Sequence, residues 1–238
     1  MRPDPTHPIP IAVLASGQGG GFESIADSIQ AGELNARIVA LACDVPGAPV
    51  LAKAEARGIP VVLTPFPTSA PAKEGPTDLR ERRLRHEEEL LSKLLPLGPR
   101  FLVMAGFMRI VTPRLLEAFR SERGYARVVN IHPSLLPAFP GVKSYAQAYR
   151  FGAKMAGVTV HFVEEDVDSG PICAQEAFPI AECRSEEEVE TLGRRVEHRL
   201  YPRTLGWVLP EKFELQSRDY GRLAGKKESH RRLCVCPI

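Results

Sequence analysis

Apolar runs at residues 9–15, 36–43, 59–63, 101–106 and 126–131 recur along the first half of the chain, and stretches of helical period separate most of them. Strand and helix in alternation build a parallel sheet, because each helix carries the chain back over a face before the next strand begins. The helical stretches fall at 22–29, at 48–57 before the stop residue Gly58, at 78–95, from about Pro113, and at 145–151. In 78–95 the apolar members are Leu79, Leu84, Leu90, Leu91 and Leu94, which leaves Arg and Glu for a solvated face.

Downstream the pattern changes. Residues 158–163 alternate as a strand does, an acidic loop follows at 164–171, and 172–180 return, which predicts an antiparallel pair at the sheet's edge. Ser185 with Glu188 three residues on has the form of a capping box, and Val189, Leu192, Val196 and Leu200 give the next helix its buried stripe. Residues 213–215 predict a small strand, 226–238 a frayed tail, and 64–76, rich in Pro, Ala and Ser, a surface loop.

With 238 residues, 44% hydrophobic and 25% charged, the chain can bury a core without staples. A formal net charge of +2 gives no overall basic field, so neither nucleic acid nor an anionic membrane is favoured as a partner. No apolar run reaches the ~18–20 residues of a membrane span, and residues 1–10 lack the apolar core of a signal peptide. Cys43, Cys173, Cys183, Cys234 and Cys236 are scattered, which fits a reducing cytoplasm rather than a disulfide framework. Cys234 and Cys236 are close together, but no cysteine or histidine pair at finger-like spacing partners them, so no metal is expected.

Chemistry concentrates in a few stretches. Ser16-Gly17-Gln18-Gly19-Gly20-Gly21 stands between the first strand and the first helix, where backbone N–H groups and a helix N-terminus can meet an anion. No Gly-Lys-Ser/Thr follows, so it is not a Walker loop, and the same residues suit an ordinary tight turn. Residues 130–141 read N-I-H-P-S-L-L-P-A-F-P-G at the end of the fifth strand. Asn130 and His132, two apart, point to one side if strand geometry persists that far, which sets an amide donor beside a proton-carrying imidazole. Asp168, in the acidic loop, reads alone as a solvated residue. Arg109, between apolar residues just past the fourth strand, reads alone as a snorkelling side chain at the sheet rim.

Taken together, N-I-H-P-S-L-L-P from Asn130, A-G-F-M-R-I from Ala105, G-V-T-V-H-F-V from Gly157 and D-S-G-P from Asp168 resemble the glycinamide ribonucleotide transformylase family, within the 10-formyltetrahydrofolate-using formyltransferases. The resemblance covers 9–207 as a formyltransferase domain and leaves 208–238 as a C-terminal strand and tail. It implies an α/β, Rossmann-like, mostly parallel sheet with helices on both faces and an antiparallel edge strand. It also implies a cytoplasmic enzyme of de novo purine biosynthesis acting on small-molecule substrates, and it leaves a homodimer open.

By the same resemblance the catalytic set is Asn130, His132 and Asp168, the last 38 residues beyond the first. Asn130 and protonated His132 would stabilise the charge on the formyl oxygen as the acceptor amine attacks, and Asp168 would support His132 and proton transfer. Gly19, Gly20 and Gly21 would hold the ribonucleotide phosphate, assisted by Arg194, while Glu197 accepts from the ribose hydroxyls. The family carries serine and asparagine where this chain has Gly20 and Gly21, so two side-chain contacts are absent. Arg80 and Arg109 would meet the folate's glutamate carboxylate, and Met108, Ile110, Val111 and Val163 its pterin. The implied co-substrate is 10-formyltetrahydrofolate, with no metal.

Two alternatives differ in chemistry. Formyltetrahydrofolate deformylases resemble the same family through Asn, His and Asp but hydrolyse the formyl group. They carry an additional N-terminal regulatory domain too large to fit before Ile9, and a second histidine where this chain has Pro133, so both features favour transfer. A non-catalytic folate- or nucleotide-binding protein is the other alternative, and the presence of Asn130, His132 and Asp168 together argues against it.

Overall fold

The computed structural model describes residues 7–67, 76–222 and 229–238. Its strands are β1 (Ile9–Leu14), β2 (Ala36–Cys43), β3 (Val61–Leu63), β4 (Phe101–Met104), β5 (Val128–His132), β6 (Met155–Phe162), β7 (Ile172–Pro179), β8 (Phe213–Arg222) and β9 (Ser229–Pro237). The helices are α1 (Gly20–Gln30), α2 (Pro49–Ala56), α3 (Pro76–Leu94), α4 (Pro113–Ala118), α5 (Ser144–Phe151) and α6 (Glu186–Val208).

Seven strands form one sheet in the order β3-β2-β1-β4-β5-β6-β7. The first five run parallel, and β6 is antiparallel to both of its neighbours, so the expected antiparallel pair at the edge is present. Burial on both faces explains the unbroken apolar runs. In β1, Ile11 and Val13 face one core while Ala12 and Leu14 face the other. The first core is closed by α1, α2, α5 and α6, the second by α3 and α4. Leu90, Leu91 and Leu94 of α3 are at most 4% exposed, each worth ~1.5–3 kcal/mol of apolar transfer.

Strand order reverses between β1 and β4: the chain runs outward through β2 and β3, then returns to the other side of β1. The loops after these two strands diverge, and in an open α/β sheet that parting is where ligands bind. Tyr201 of α6 pins the helix over this point, donating its hydroxyl toward the carbonyls of Met104 and Val129, each 3.0 Å away.

Two local expectations change. Ser185 does cap α6 by accepting from the Glu188 N–H, but Glu188 reaches back to the N–H of Arg184 at 2.8 Å rather than to that of Ser185. The expected frayed tail is, over Ser229–Pro237, strand β9, paired antiparallel with β8 so that Val235 stands opposite Leu215. The small strand expected at 213–215 is the start of this ribbon. Most of the expected loop at 64–76 lies outside the described residues, as does the beginning of the expected tail.

Candidate functional site

A cleft of about 690 Å³ opens where the loops after β1 and β4 part, and the residues at the end of β5, the 163–168 loop and one surface of α6 complete its walls. β5 continues to His132, so Asn130 and His132 do share a side, as the strand period requires. In the register of β5 and β6, Asn130 lies opposite His161.

His132 is 4% exposed. Its Nδ1 lies 3.3 Å from Asp168 Oδ2, and its Nε2 lies 3.1 Å from the Phe139 carbonyl and 3.1 Å from Ser144 Oγ. Both nitrogens face oxygen atoms, so an imidazolium here has an acceptor for each N–H. Asp168 adopts φ 55°, a left-handed conformation unusual for a residue other than glycine. Two contacts fix it there. The Gly141 N–H donates to its Oδ2 at 2.9 Å, and Gly170 lets the loop fold against Phe162, since a Cβ at 170 would stand 1.9 Å from the Phe162 carbonyl oxygen.

His161 completes the group. Burial pushes its pKa below the ordinary value, and its Nδ1 faces the Phe162 carbonyl at 2.8 Å. In the neutral tautomer with Nδ1–H donating there, Nε2 accepts, and Asn130 Nδ2 lies 3.3 Å from it. His161 thereby sets which way the Asn130 amide points. His161 was legible only as one position in an alternating strand, because its place beside Asn130 depends on a register between distant segments.

At one end of the cleft the glycine loop enters α1. Gly19 caps the helix with φ 80°, and a Cβ on it would lie 2.6 Å from Val50 Cγ2, so both its backbone and its surroundings demand glycine. No side chain caps α1, which leaves its first N–H groups without a side-chain acceptor at the part of the cleft lined by Gly19, Gly20 and Gly21. Gly20 and Gly21 line the same end with Arg194, Glu197 and His198. His198 Nε2 lies 2.9 Å from where a Cβ of residue 20 would be, so the imidazole occupies space that a side chain there would need. Burial, with Arg194 second, lowers the His198 pKa. Arg194 is paired with Glu190 at 2.6 Å, and Glu197 accepts from the Tyr145 hydroxyl at 2.6 Å.

The other end is apolar. Met108, Ile110, Val142 and Val167 are 63%, 45%, 64% and 53% exposed and stand on the cleft's rim, with Val111 buried and Val163 half-buried behind them. Ser16 ties the β1 and β4 loops together, donating to Asp44 Oδ1 at 2.5 Å and accepting the Met108 N–H at 3.0 Å. Arg109 lines the cleft, but its Nε is bonded to the buried Asp44 and its guanidinium lies 4.3 Å from the centre of the Phe66 ring. Glu87, 4% exposed, accepts from the Thr112 N–H and hydroxyl and so anchors the far end of this loop; burial raises its pKa. Arg80 is exposed on α3 and is not among the cleft-lining residues. Arg83, one turn on, lines a small cavity with Phe66, His86, Arg109 and Ile110. Helical period alone does not say which arginine of an Arg-rich helix turns toward a site.

Residues 9–205 match the family described as formyl transferase. The phosphoribosylglycinamide formyltransferase of Bacillus subtilis (strain 168) is 38% identical over 199 residues, covering 83% of this chain and 93% of its own. The crystal structure of phosphoribosylglycinamide formyltransferase from Bacillus halodurans superposes with a TM-score of 0.73 at 42% identity, covering 84% of this chain and 95% of that one. A formyltetrahydrofolate deformylase from Pseudomonas syringae pv. tomato has the same TM-score, 0.73, at 25% identity, covering 90% of this chain but 65% of its own.

Proposed function

Because the chain belongs to the formyl transferase family, we propose that it transfers the formyl group of 10-formyltetrahydrofolate to the amine of glycinamide ribonucleotide, a step of de novo purine biosynthesis. The observation that carries this reading is the convergence of Asn130, His132 and Asp168 between an anion-binding end and an apolar end of one cleft. The cleft's volume, about 690 Å³, falls within the ~300–1,000 Å³ range of small-molecule sites. Its uncapped helix start suits a phosphate, and its apolar rim suits a pterin.

In the reaction, the acceptor's amine nitrogen bonds to the formyl carbon, and negative charge builds on the formyl oxygen. Asn130 Nδ2, oriented by His161, and His132 Nε2, exchanging the Phe139 carbonyl for the formyl oxygen, donate to that charge. Asp168 holds His132 from the Nδ1 side. As the bond from the formyl carbon to N10 breaks, the proton lost by the amine passes to N10 by way of the His132–Asp168 pair, so charge and atoms balance. Gly19, Gly20, Gly21 and Arg194 hold the phosphate, Glu197 the ribose, and Met108, Ile110, Val111 and Val163 the pterin. Arg109 meets the glutamate carboxylate; Arg80, exposed on α3 and outside the cleft lining, is left without a role in this reading.

The test is to incubate the protein with 10-formyltetrahydrofolate, with and without glycinamide ribonucleotide, and to follow loss of the formyl group from the folate. Turnover that requires the ribonucleotide is the expected outcome. Equal turnover without it establishes hydrolysis, the reaction suggested by the similarity to the deformylase, and no turnover in either case rejects both.

A further inference from the structure

Tyr145, in the first turn of α5, lies beneath the acceptor end of the cleft. Its hydroxyl donates to Glu197 Oε1 at 2.6 Å, its ring packs edge-on to Phe178 at 6.1 Å, and the residue is 7% exposed. The ring crosses α6 at Gly193, where a Cβ would stand 2.1 Å from Cζ and 2.3 Å from the hydroxyl oxygen. Glycine is disfavoured within a helix. Here the missing side chain is the space the tyrosine occupies.

The hydrogen bond divides the charges along one surface of α6. Oε1 of Glu197 is taken by the tyrosine, leaving Oε2 to accept from a hydroxyl in the cleft that Glu197 lines. Arg194, three residues away and a natural partner for Glu197 on a helix, is bound instead to Glu190 at 2.6 Å. Burial raises the Glu197 pKa, and the bond from Tyr145 acts against that rise. Nothing in the local sequence reports this, since Tyr145 and Glu197 are 52 residues apart.

We propose that Tyr145 is a positioning residue for the acceptor: by holding Glu197 as an oriented hydrogen-bond acceptor it sets the enzyme's affinity for the ribose hydroxyls, and Gly193 makes room for it. The proposal rests on the ribonucleotide acceptor assigned above. It places a determinant of acceptor affinity on α5, at a tyrosine that lines the cleft beside Glu197.

Tyr145→Phe keeps the ring and removes the hydroxyl. In steady-state kinetics it should raise KM for the ribonucleotide about ten-fold, the loss expected for one hydrogen bond to a charged acceptor. Both kcat and KM for the formyl-folate should stay within about two-fold of wild type. Combined with Glu197→Gln, which itself raises KM, Tyr145→Phe should add no further loss. With an acceptor analogue lacking the ribose hydroxyls, wild type and Tyr145→Phe should have equal KM. Gly193→Ala, which displaces the ring, should reproduce the KM increase. An unchanged KM in Tyr145→Phe overturns the proposal, as does a fall in kcat with both KM values unchanged, or an effect that persists with the analogue. A wild type that transfers nothing to the ribonucleotide overturns the assigned function and the proposal with it. A wild type that transfers well and is matched by Tyr145→Phe overturns the role of Tyr145 alone.

Discussion

His132 is clamped from both sides of its ring, by a carboxylate at Nδ1 and by a carbonyl and a hydroxyl at Nε2. The clamp orients a group that rides on a strand rather than on a loop, so little ordering is left for substrate binding to supply. If His132 donates to the developing oxyanion as proposed, His132→Ala should lower kcat about 10²–10³-fold. Asp168→Asn keeps an acceptor for the Gly141 N–H but removes the charge beside the imidazole, so its loss should also fall on kcat, with far-UV circular dichroism unchanged. A near-normal rate in His132→Ala would show that the oxyanion is held elsewhere. At the end of the cleft proposed for the phosphate, the absence of a side chain at Gly20 is matched by His198 lying over that position, so the imidazole lines this end together with Gly20, Gly21 and Arg194.

Between β8 and the sheet, Glu211 acts as a joint. It accepts from Tyr125 and is paired with Arg100 and Arg127, which stand at or near the starts of β4 and β5, while Arg123 donates to the Phe213 carbonyl. Burial opposes its charge, but these partners outweigh burial and hold its pKa below the ordinary carboxylate value. A depressed folded-state pKa means that the unfolded chain binds the proton more readily, so the stabilisation is present above about pH 4.5 and is lost as pH falls through the folded value. Glu211→Gln should therefore cost about 2 kcal/mol in chemical denaturation at neutral pH, and the difference from wild type should vanish in acid. A constant difference at all pH values would assign the loss to packing instead.

Elements of this kind differ in how far they can be read from the chain. The run at 36–43 is apolar between breakers, so the bounds of β2 are legible to the residue, and the Ser185 cap is local chemistry. Asn130 and His132 followed from a period of two. The partners of Arg109, Asn130 and Glu197 were not legible, because Asp44, His161 and Tyr145 reach them through strand register and helix packing across 65, 31 and 52 residues. β9 was missed because its apolar positions find their counterpart only when β8 lies beside it.

For the molecule as a whole, the core does not stop where α6 ends. Phe213 is 1% exposed and packs against Tyr125, Phe162 and Trp207, so the base of the β8–β9 ribbon completes the sheet's inner layer beyond residue 207. Phe213→Ala should destabilise the fold by about 3–5 kcal/mol, measured by denaturant midpoint. The four exposed apolar residues at the cleft's rim give binding a thermal signature. A folate that covers Met108, Ile110, Val142 and Val167 takes their surface out of water, and removal of apolar surface lowers heat capacity. Titration calorimetry at several temperatures should therefore show a binding enthalpy that grows more favourable on warming for the folate, and a much flatter dependence for the acceptor. On cooling, folate binding should therefore lose hydrophobic driving force while acceptor binding changes little.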